Sequence, residues 1–279
     1  MRIHHLNCGC MCPVGGALFD GFSKGLTAHL ACHCLLIETD RSGLVLVDTG
    51  LGEQDVHAPQ QRLSAFFRLF NNIQLKPRYT AVHQIEQLGF RRDDVRHIVL
   101  THLDFDHAGG LEDFPQATVH VLQREMEAAR QPGGFIQRNR YRVQQWQRIR
   151  QWQFHEPAGE RWHDFAAVRE LAGLPPEILM IPLPGHTLGH AGVAVEGPAG
   201  WLLHAGDAYF YRDEVGQAQR HCSPGMRFYQ YMMDADRPIR RHNQMRLREL
   251  SLAGHPGLQM FCSHDMKELE RMQASAGKG

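Results

Sequence analysis

The chain has 279 residues, of which 43% are hydrophobic, enough to bury a large core. Its 30 basic and 30 acidic residues cancel, which argues against a general attraction to nucleic acid or to an acidic membrane surface. The longest apolar runs fall far short of the roughly 20 residues that a transmembrane helix needs, so we expect no membrane span.

The amino terminus and the cysteines indicate the cellular compartment. Residues 1–16 contain two histidines and three cysteines where a secretory signal would need an unbroken apolar segment. The seven cysteines are too few and too irregularly spaced for a disulfide scaffold. We therefore expect a cytoplasmic protein with reduced thiols, and we assign no function to Cys8, Cys10 or Cys12, which suit either a further metal or simple packing.

Short strands and helices alternate along the chain. Apolar patterns and turn residues predict strands over 1–7, 32–39, 44–47, 96–100, 118–122, 177–181, 192–196, 201–204 and 259–262. Helices are predicted over 79–88, 124–130, 239–252 and 265–274, followed by a frayed tail at 275–279. Strand hairpins mixed with helices favour one domain over residues 1–279, with two sheets covered by helices.

The segment 51–75 is harder to assign. Leu63, Phe66, Phe67 and Phe70 have the spacing of a helix, which predicts a surface helix or a lid. An apolar segment of this kind suits either the wall of a substrate pocket or a contact between the subunits of a homodimer.

The densest group of metal-capable side chains follows the strand predicted at 96–100. His102, Asp104, Asp106 and His107 cannot all be buried without compensating charge, which a bound cation supplies. Because the chain then turns at glycines, His102 and Asp104 can point one way while Asp106 and His107 point towards a neighbouring position. This arrangement suits two metal ions roughly 3.5–4 Å apart.

Further metal-capable side chains follow other predicted strands. His186 lies in a Gly-His-Thr-Leu-Gly-His loop, Asp207 follows the strand at 201–204, and His264 follows the strand at 259–262. Loops at strand ends build sites on a rigid scaffold, so a lone polar loop is a poorer explanation than a shared metal site.

The order of these motifs, beginning with Asp48-Thr49-Gly50, resembles the metallo-β-lactamase-like superfamily over nearly the whole chain. The resemblance implies an α/β fold, a four-layer αββα sandwich of two mixed sheets, with two divalent metal ions at one edge. It implies that one ion binds His102, Asp104 and His186 and the other Asp106, His107 and His264, with Asp207 bridging. Asp48 and His190 are then expected to orient these ligands.

One ligand departs from the usual pattern of the superfamily, because Asp104 stands where a histidine is expected. Three carboxylates and a bridging hydroxide balance the charge of two divalent cations, so the inner shell is neutral and one unit less positive than usual. We expect zinc, with a tolerance for Mn or Fe, and a weaker attraction for anionic substrates.

The resemblance is strongest to the N-acyl homoserine lactonases. It implies hydrolysis of a lactone or another ester-like small molecule, in which a metal-bridging hydroxide attacks the acyl carbon. Asp106 is the candidate proton shuttle. Those lactonases carry a tyrosine three residues after the bridging aspartate, where this chain has Phe210. Of the flanking Tyr209 and Tyr211, we take Tyr209 as the candidate catalytic residue; core packing explains it equally well.

Alternative functions remain. A thioester hydrolase of the glyoxalase type presents the same acyl chemistry, whereas a secreted β-lactamase is disfavoured by the amino terminus. A metal-dependent nuclease or phosphodiesterase is the weaker alternative, based on the following arginines and aromatic residues: Arg138, Arg140, Arg142, Arg148, Arg150, Tyr141, Trp146 and Trp152. We favour an amphipathic helix whose arginines stay in solvent. A relative that binds metal without catalysis is disfavoured, since no ligand position is missing.

Overall fold

The computed structural model describes residues 1–157, 160–168 and 171–276. Its strands are β1 (Arg2–Met11), β2 (Leu30–Glu38), β3 (Leu44–Val47), β4 (Val95–Val99), β5 (Thr118–Leu122), β6 (Trp152–His155), β7 (Glu160–Trp162), β8 (Phe165–Ala167), β9 (Ile178–Pro182), β10 (Ala191–Gly197), β11 (Gly200–His204) and β12 (Gln259–Phe261). Its helices are α1 (Ala17–Asp20), α2 (Glu53–His57), α3 (Pro59–Arg62), α4 (Ala65–Phe70), α5 (Ala81–Gln87), α6 (Gln123–Arg130), α7 (Phe135–Arg140), α8 (Pro224–Met233), α9 (Arg237–Leu252) and α10 (Met266–Ala276).

Two mixed sheets form the centre of the fold. The first has six strands in the order β1 to β6, and the second has four strands in the order β12-β11-β10-β9; β7 and β8 form a separate pair. In the first sheet β3 to β6 run parallel to one another. In the second, β9 and β11 are both antiparallel to β10, and β12 is parallel to β11. The strands β9, β11 and β12 therefore point the same way.

The core is arranged in layers because the central strands are buried on both faces. On β2, Leu35 and Ile37 pack between the two sheets, against Val193 of β10. The alternate residue Leu36 packs on the outer face with Ile85 of α5. The second sheet is covered on its outer face by the apolar side of α9. This helix-sheet-sheet-helix arrangement confirms the predicted four-layer sandwich.

The structure differs from the sequence prediction mainly in two regions. Between 131 and 176, where the sequence predicts an amphipathic helix at the arginine-rich stretch, the structure contains α7, β6, β7 and β8, and residues 51–75 form three short helices. Helix α8 was not predicted, although Ser223 caps it by accepting a hydrogen bond from the Met226 N–H, and Pro224 begins it. The predicted tail at 275–279 begins inside α10, and residues 277–279 lie outside the described part of the chain.

Among the described residues, no helix combines the length and the apolar character that crossing a membrane requires.

Candidate metal centre

The predicted ligands meet because their strands end at one edge of the sandwich. Strands β3 and β4 run parallel and are followed by Asp48 and by the loop that begins at Thr101. His186, Asp207 and His264 follow the carboxyl ends of β9, β11 and β12. The structure brings together the following seven side chains, all of them buried: His102, Asp104, Asp106, His107, His186, Asp207 and His264.

Four of these side chains form one group, here called the first position: His102, Asp104, His186 and Asp207. The Oδ2 atom of Asp104 lies 3.4 Å from the Nε2 atom of His102 and 3.2 Å from that of His186. The Asp207 Oδ2 atom lies 3.8 Å from His102 Nε2 and 3.4 Å from His186 Nε2. Ligand atoms in a tetrahedral zinc shell are separated by about 3.3 Å, so the group has the size of a coordination shell.

The second position consists of Asp106, His107, His264 and, again, Asp207. His264 Nε2 lies 3.1 Å from Asp207 Oδ2 and 3.6 Å from Asp106 Oδ2. His107 Nε2 lies 3.6 Å from the other oxygen of Asp207, Oδ1. Because Asp207 faces both groups, it is the residue that can join two ions.

The donor atoms fit divalent cations. The Nε2 atoms of His102 and His107 and the Oδ1 atom of Asp207 are buried, and within the described part of the chain they have no hydrogen-bond partner. Buried polar atoms without partners cost free energy unless something else satisfies them. Imidazole nitrogens and carboxylate oxygens are the ligands expected for zinc and similar ions.

The pKa values reflect a crowded set of charges. Burial opposes ionisation of Asp104, yet the Arg140 guanidinium holds the pKa of that carboxyl well below its usual range. Burial likewise opposes ionisation of Asp207, but His264 and His107 hold its pKa well below the usual range. Burial raises the pKa of Asp106. Three acids within one buried site therefore depend on nearby positive charge.

Asp48 supports the second position through His107. Its carboxylate accepts a hydrogen bond at 2.8 Å from Nδ1 of His107, which leaves the Nε2 atom facing Asp207. The same carboxylate accepts bonds at 2.7 Å from the Thr101 N–H and from the Thr101 hydroxyl. Asp48 has φ of 55°, a left-handed conformation that aspartate adopts more readily than most residues. It thus has the orienting contact predicted from the sequence.

Two further residues hold the ligand loops. The Glu125 carboxylate accepts hydrogen bonds from the Leu103 N–H at 3.0 Å and the Thr187 hydroxyl at 2.6 Å, so it ties the loop of His102 to that of His186. His190 accepts a bond from the Asp207 N–H at 2.9 Å. Sequence reasoning missed Glu125, whose place at the start of α6 gave no signal.

Arg140 is the largest departure from the sequence prediction. Its side chain is fully buried, and its Nε and Nη2 atoms each lie 2.5 Å from an oxygen of Asp104. Nη2 also contacts the His186 ring. The prediction of a helix whose arginines all remain in solvent is therefore wrong for Arg140. The neutral charge count must be revised as well, because this guanidinium adds one positive unit beside Asp104.

Two of the three aromatic residues of the arginine-rich stretch are buried. Tyr141 and Trp146 are each only 8% exposed and pack in the core beneath the first sheet. The Arg142 Nε atom donates to the Arg62 carbonyl at 2.9 Å. Rings that are buried in this way cannot stack on bases.

The structure places Tyr209 away from the ligand cluster. Its hydroxyl donates to the Glu268 carboxylate at 3.1 Å, and its ring packs among apolar side chains such as Leu247 of α9. Core packing, the other explanation offered for Tyr209, agrees with this position.

A different tyrosine, which sequence reasoning missed, lies beside the site. Burial raises the pKa of the Tyr229 hydroxyl well above its usual range, and the negative charges of Asp106 and Asp104 raise it further. Its ring lies 5.8 Å from that of Phe210. The Asn71 amide donates to its hydroxyl oxygen at 3.2 Å, which leaves the hydroxyl proton to be donated elsewhere. Only the position of α8 in the fold reveals that Tyr229 lies near Asp106 and Asp104.

Cys32 and an apolar cluster complete the surroundings. The sulfur of Cys32 lies within 4.8 Å of ligand atoms of Asp106 and His264. Phe67 and Phe210 belong to the apolar cluster that contains Cys32 and Tyr229. The segment 51–75 thus contributes Phe67 to this cluster, and the two roles predicted for the segment, a pocket wall and a subunit contact, stay predictions.

Comparison with known proteins identifies the family. A sequence profile described as the metallo-beta-lactamase superfamily matches residues 28–220. The chain belongs to this superfamily. Probable metallo-hydrolases of Mycobacterium tuberculosis and Mycobacterium bovis are each 42% identical to it over 269 residues, which cover 95% of the chain and 80% of each relative. The chain is thus a metallo-hydrolase of the metallo-β-lactamase fold, as predicted.

Lactonases are among the relatives of this metallo-hydrolase. An N-acyl homoserine lactonase of Bacillus cereus is 32% identical over 127 residues, 42% of the chain and 49% of that protein. The solved structure of an N-acyl homoserine lactone hydrolase, with N-hexanoyl-L-homoserine at its catalytic metal center, matches with a TM-score of 0.71 and 21% identity, covering 97% of the chain and 95% of its own. AidC, a dizinc lactonase, matches with a TM-score of 0.60 and 16% identity, over 94% and 86%. These structures confirm the fold.

Proposed function

We propose that this metallo-hydrolase uses two divalent metal ions to hydrolyse a lactone or a similar ester of a small molecule. The observation that carries the proposal is the sharing of Asp207 between two groups of ligands, with His186 Nε2 at 3.4 Å and His264 Nε2 at 3.1 Å from its Oδ2 atom. Two ions bridged in this way suit attack on an acyl carbon.

The proposed ligand set follows the two positions. His102, Asp104 and His186 would hold the first ion, Asp106, His107 and His264 the second, and Asp207 both. When bound, such ions acidify a shared water and polarise a carbonyl oxygen. Zinc suits this mixture of imidazole and carboxylate ligands, and the share of oxygen ligands also permits Mn or Fe. Metal analysis of protein produced without added zinc tests this point; zinc as the sole metal under all conditions would contradict the wider tolerance.

Asp106 and Tyr229 are the proposed catalytic side chains. Asp106 is buried among the candidate ligands of the second position, with its Oδ2 atom 3.6 Å from His264 Nε2. We assign to it the transfer of a proton from the attacking water to the leaving oxygen. Tyr229 would donate its hydroxyl proton to the carbonyl oxygen of the substrate, since its own oxygen already accepts from Asn71.

The surroundings favour an apolar acyl group. Phe67 packs on Phe105 with ring centroids 5.1 Å apart, and Phe70 stacks on Tyr229 at 6.1 Å. Phe67 and Phe105 are buried, whereas Phe70 is half-buried and offers an apolar surface next to the proposed carbonyl donor, which suits an acyl chain better than a phosphate backbone. The similar lactone hydrolase whose structure holds the product N-hexanoyl-L-homoserine supports the same class of substrate.

A hydrolysis screen of the metal-loaded protein tests the proposal. Acyl homoserine lactones, simple aliphatic lactones, a thioester, a cephalosporin and a phosphodiester are compared at equal concentration, with the metal-free protein as the blank. We expect the highest kcat/KM for a lactone that carries an apolar chain. A phosphodiester or thioester hydrolysed faster than every lactone would reject the proposed substrate class.

The variant Tyr229→Phe tests the proposed carbonyl donor. Loss of the hydroxyl should lower kcat by roughly 10²–10³-fold, the usual effect of removing one such donor, while both metal ions stay bound. Tyr209→Phe is the matched control, because its hydroxyl bonds to Glu268, and it should leave kcat nearly unchanged. If the control variant loses more activity than Tyr229→Phe, the assignment of Tyr229 is wrong.

A further inference from the structure

Cys10, Cys12 and His29 form a further group of metal-capable side chains, here called the thiol cluster. The Sγ atoms of Cys10 and Cys12 lie 3.5 Å apart, and the Sγ atom of Cys12 lies 3.7 Å from Nδ1 of His29. The donor atoms of all three residues lie within 4.8 Å of one another. Among the described residues, every other group of this kind includes Asp106 or Asp207, so the thiol cluster alone lies outside the candidate metal centre.

Strand pairing explains why these side chains meet. Strands β1 and β2 are antiparallel, and Met11 lies opposite Leu30. The next pair in this register is Cys12 and His29, and opposite residues of antiparallel strands are close enough for their side chains to touch. Because side chains alternate between the two faces of a strand, Cys10 lies on the same face as Cys12. The cluster is therefore built where β1 ends and β2 begins.

The main chain of the thiol cluster is held by other segments. The Cys12 N–H donates to the Asn71 carbonyl at 2.8 Å, and the Asn72 amide donates to the Cys12 carbonyl at 2.9 Å. The His29 N–H donates to the Asp20 carboxylate at 2.9 Å. Since the positions of both strand ends are fixed in this way, little order has to be gained when a ligand binds there.

The separations of the donor atoms agree with a tetrahedral zinc shell. With Zn–S bonds of about 2.3 Å and Zn–N bonds of about 2.0 Å, two sulfurs lie about 3.8 Å apart, and a sulfur and a nitrogen about 3.5 Å apart. Cys10 and Cys12 are only 5% and 6% exposed, whereas His29 is exposed. An ion can therefore reach the two buried sulfurs from the side of His29.

The charges of the donors favour a divalent ion. Cysteine binds a metal as the thiolate, so each cysteine that binds releases its thiol proton to solvent. Two thiolates and a neutral imidazole balance one Zn²⁺ ion, and a neutral complex is the least costly one to bury. In the protein without an ion, burial and the neighbouring Cys12 raise the pKa of Cys10 to about 12. An isolated thiolate at Cys10 is thus unfavourable, and a cation removes this penalty.

We propose that Cys10, Cys12 and His29 bind one zinc ion, separate from the candidate metal centre. The ion joins the end of β1 to the beginning of β2. This site goes beyond the proposed hydrolase function and shares no residue with the proposed ligands of that function.

The zinc content of the reduced protein tests the proposal. Bound zinc per chain is measured at stepped free zinc concentrations for the wild type and for Cys10→Ser/Cys12→Ser, and the wild type is expected to bind one ion more. Cys222→Ser is the matched control, because Cys222 is also a buried cysteine and lies outside the cluster. It should bind as many ions as the wild type. Equal zinc contents of the wild type and the double variant would overturn the proposal.

Cobalt substitution identifies the ligands. A thiolate bound to Co²⁺ gives a charge-transfer absorption in the near ultraviolet, which imidazole and carboxylate ligands do not give. Because the Cys32 sulfur lies near Asp106 and His264, Cys32→Ala is included. We expect the absorption in the wild type and in Cys32→Ala, and its loss in Cys10→Ser/Cys12→Ser. Absorption that is lost in Cys32→Ala but kept in the double variant would assign the thiolate to the candidate metal centre and reject the proposed site.

His29→Gln provides a second variant in case the double variant does not fold. The His29 side chain is exposed, so its replacement leaves the core intact, and the affinity for the additional ion should fall by at least about tenfold. An unchanged zinc affinity would contradict the proposal. None of these readouts uses a substrate, so a protein that binds the additional ion but hydrolyses no lactone would reject the proposed function and confirm the thiol site.

Discussion

The two positions of the candidate metal centre differ in the charge of the residue that supports them. At the first position, a positive group, Arg140, bonds to the side chain of the candidate ligand Asp104. Behind the second, a negative group, Asp48, bonds to the side chain of a ligand histidine. Among the described residues, no arginine pairs with Asp106, His107 or His264. Each buried group of candidate ligands is thus stabilised by a neighbour of complementary charge. An arginine pairs with a carboxylate at the first position, and a carboxylate pairs with an imidazole at the second.

This difference in neighbouring charge predicts that the two positions bind a divalent ion with different affinities. The second position has the additional negative charge of Asp48 and no compensating cation, so it should bind a divalent ion more tightly than the first. The following predictions test this contrast, beginning with the largest effect.

Loss of Asp207 should weaken metal binding at both positions and so abolish the difference in affinity between them. Asp207→Ala removes the one side chain that faces both positions, so we expect a loss of lactone hydrolysis of more than about 100-fold and a marked loss of both ions. Metal content and kcat/KM are the measurements. Asp113→Ala removes another buried acid, one that accepts from the Glu53 N–H, and serves as the control. An Asp207 variant that keeps both ions would show that the positions are independent.

Asp48→Asn should weaken the second position selectively. The amide keeps the size of the side chain but not its charge, so His107 loses the partner that fixes its Nδ1 atom. The affinity for one ion should fall by roughly 10–100-fold, and the other should change little. Zinc titration combined with anomalous diffraction identifies which position empties. Loss of the ion from the first position instead would contradict the prediction that the second position depends on Asp48.

Glu125→Gln should weaken the first position by a smaller amount. Glu125 contacts the Leu103 N–H and the Thr187 hydroxyl but no ligand side chain, so it acts on the loops alone. We expect a loss of about tenfold or less in the affinity for the first ion. The same titration and diffraction measurements apply, and Glu127→Gln, on the exposed side of α6, is the matched control.

Stepwise chelation of the wild type should show the smallest effect. An affinity gap of a few-fold to about tenfold should remove the first ion before the second as the free zinc concentration falls. Hydrogen exchange can follow the process, with the loop around His186 changing at higher free zinc than the loop around His264. Simultaneous release would indicate that the charge of Asp48 does not separate the two positions.

The clustering of the candidate ligands could be predicted from the sequence because each follows a strand. Strand patterns at 96–100, 201–204 and 259–262 lie close to the observed β4, β11 and β12, and polar residues after such strands meet at one edge of the sandwich. Asp48 was found in the same way. The strands β6, β7 and β8 were not predicted, because such short elements are held by contacts with distant parts of the chain rather than by a local pattern.

The sequence by itself determined three things. Apolar patterns predicted the strands, the polar residues that follow those strands predicted the candidate ligands, and the combination of motifs predicted the family. Only the tertiary structure decided that Arg140 pairs with Asp104 from 36 residues away and that Tyr229, not Tyr209, lies beside the site. The physical reason is that burial and charge pairing are properties of neighbours in space. The sequence does not show whether an arginine is exposed to solvent or buried, because its partner is set by the tertiary fold.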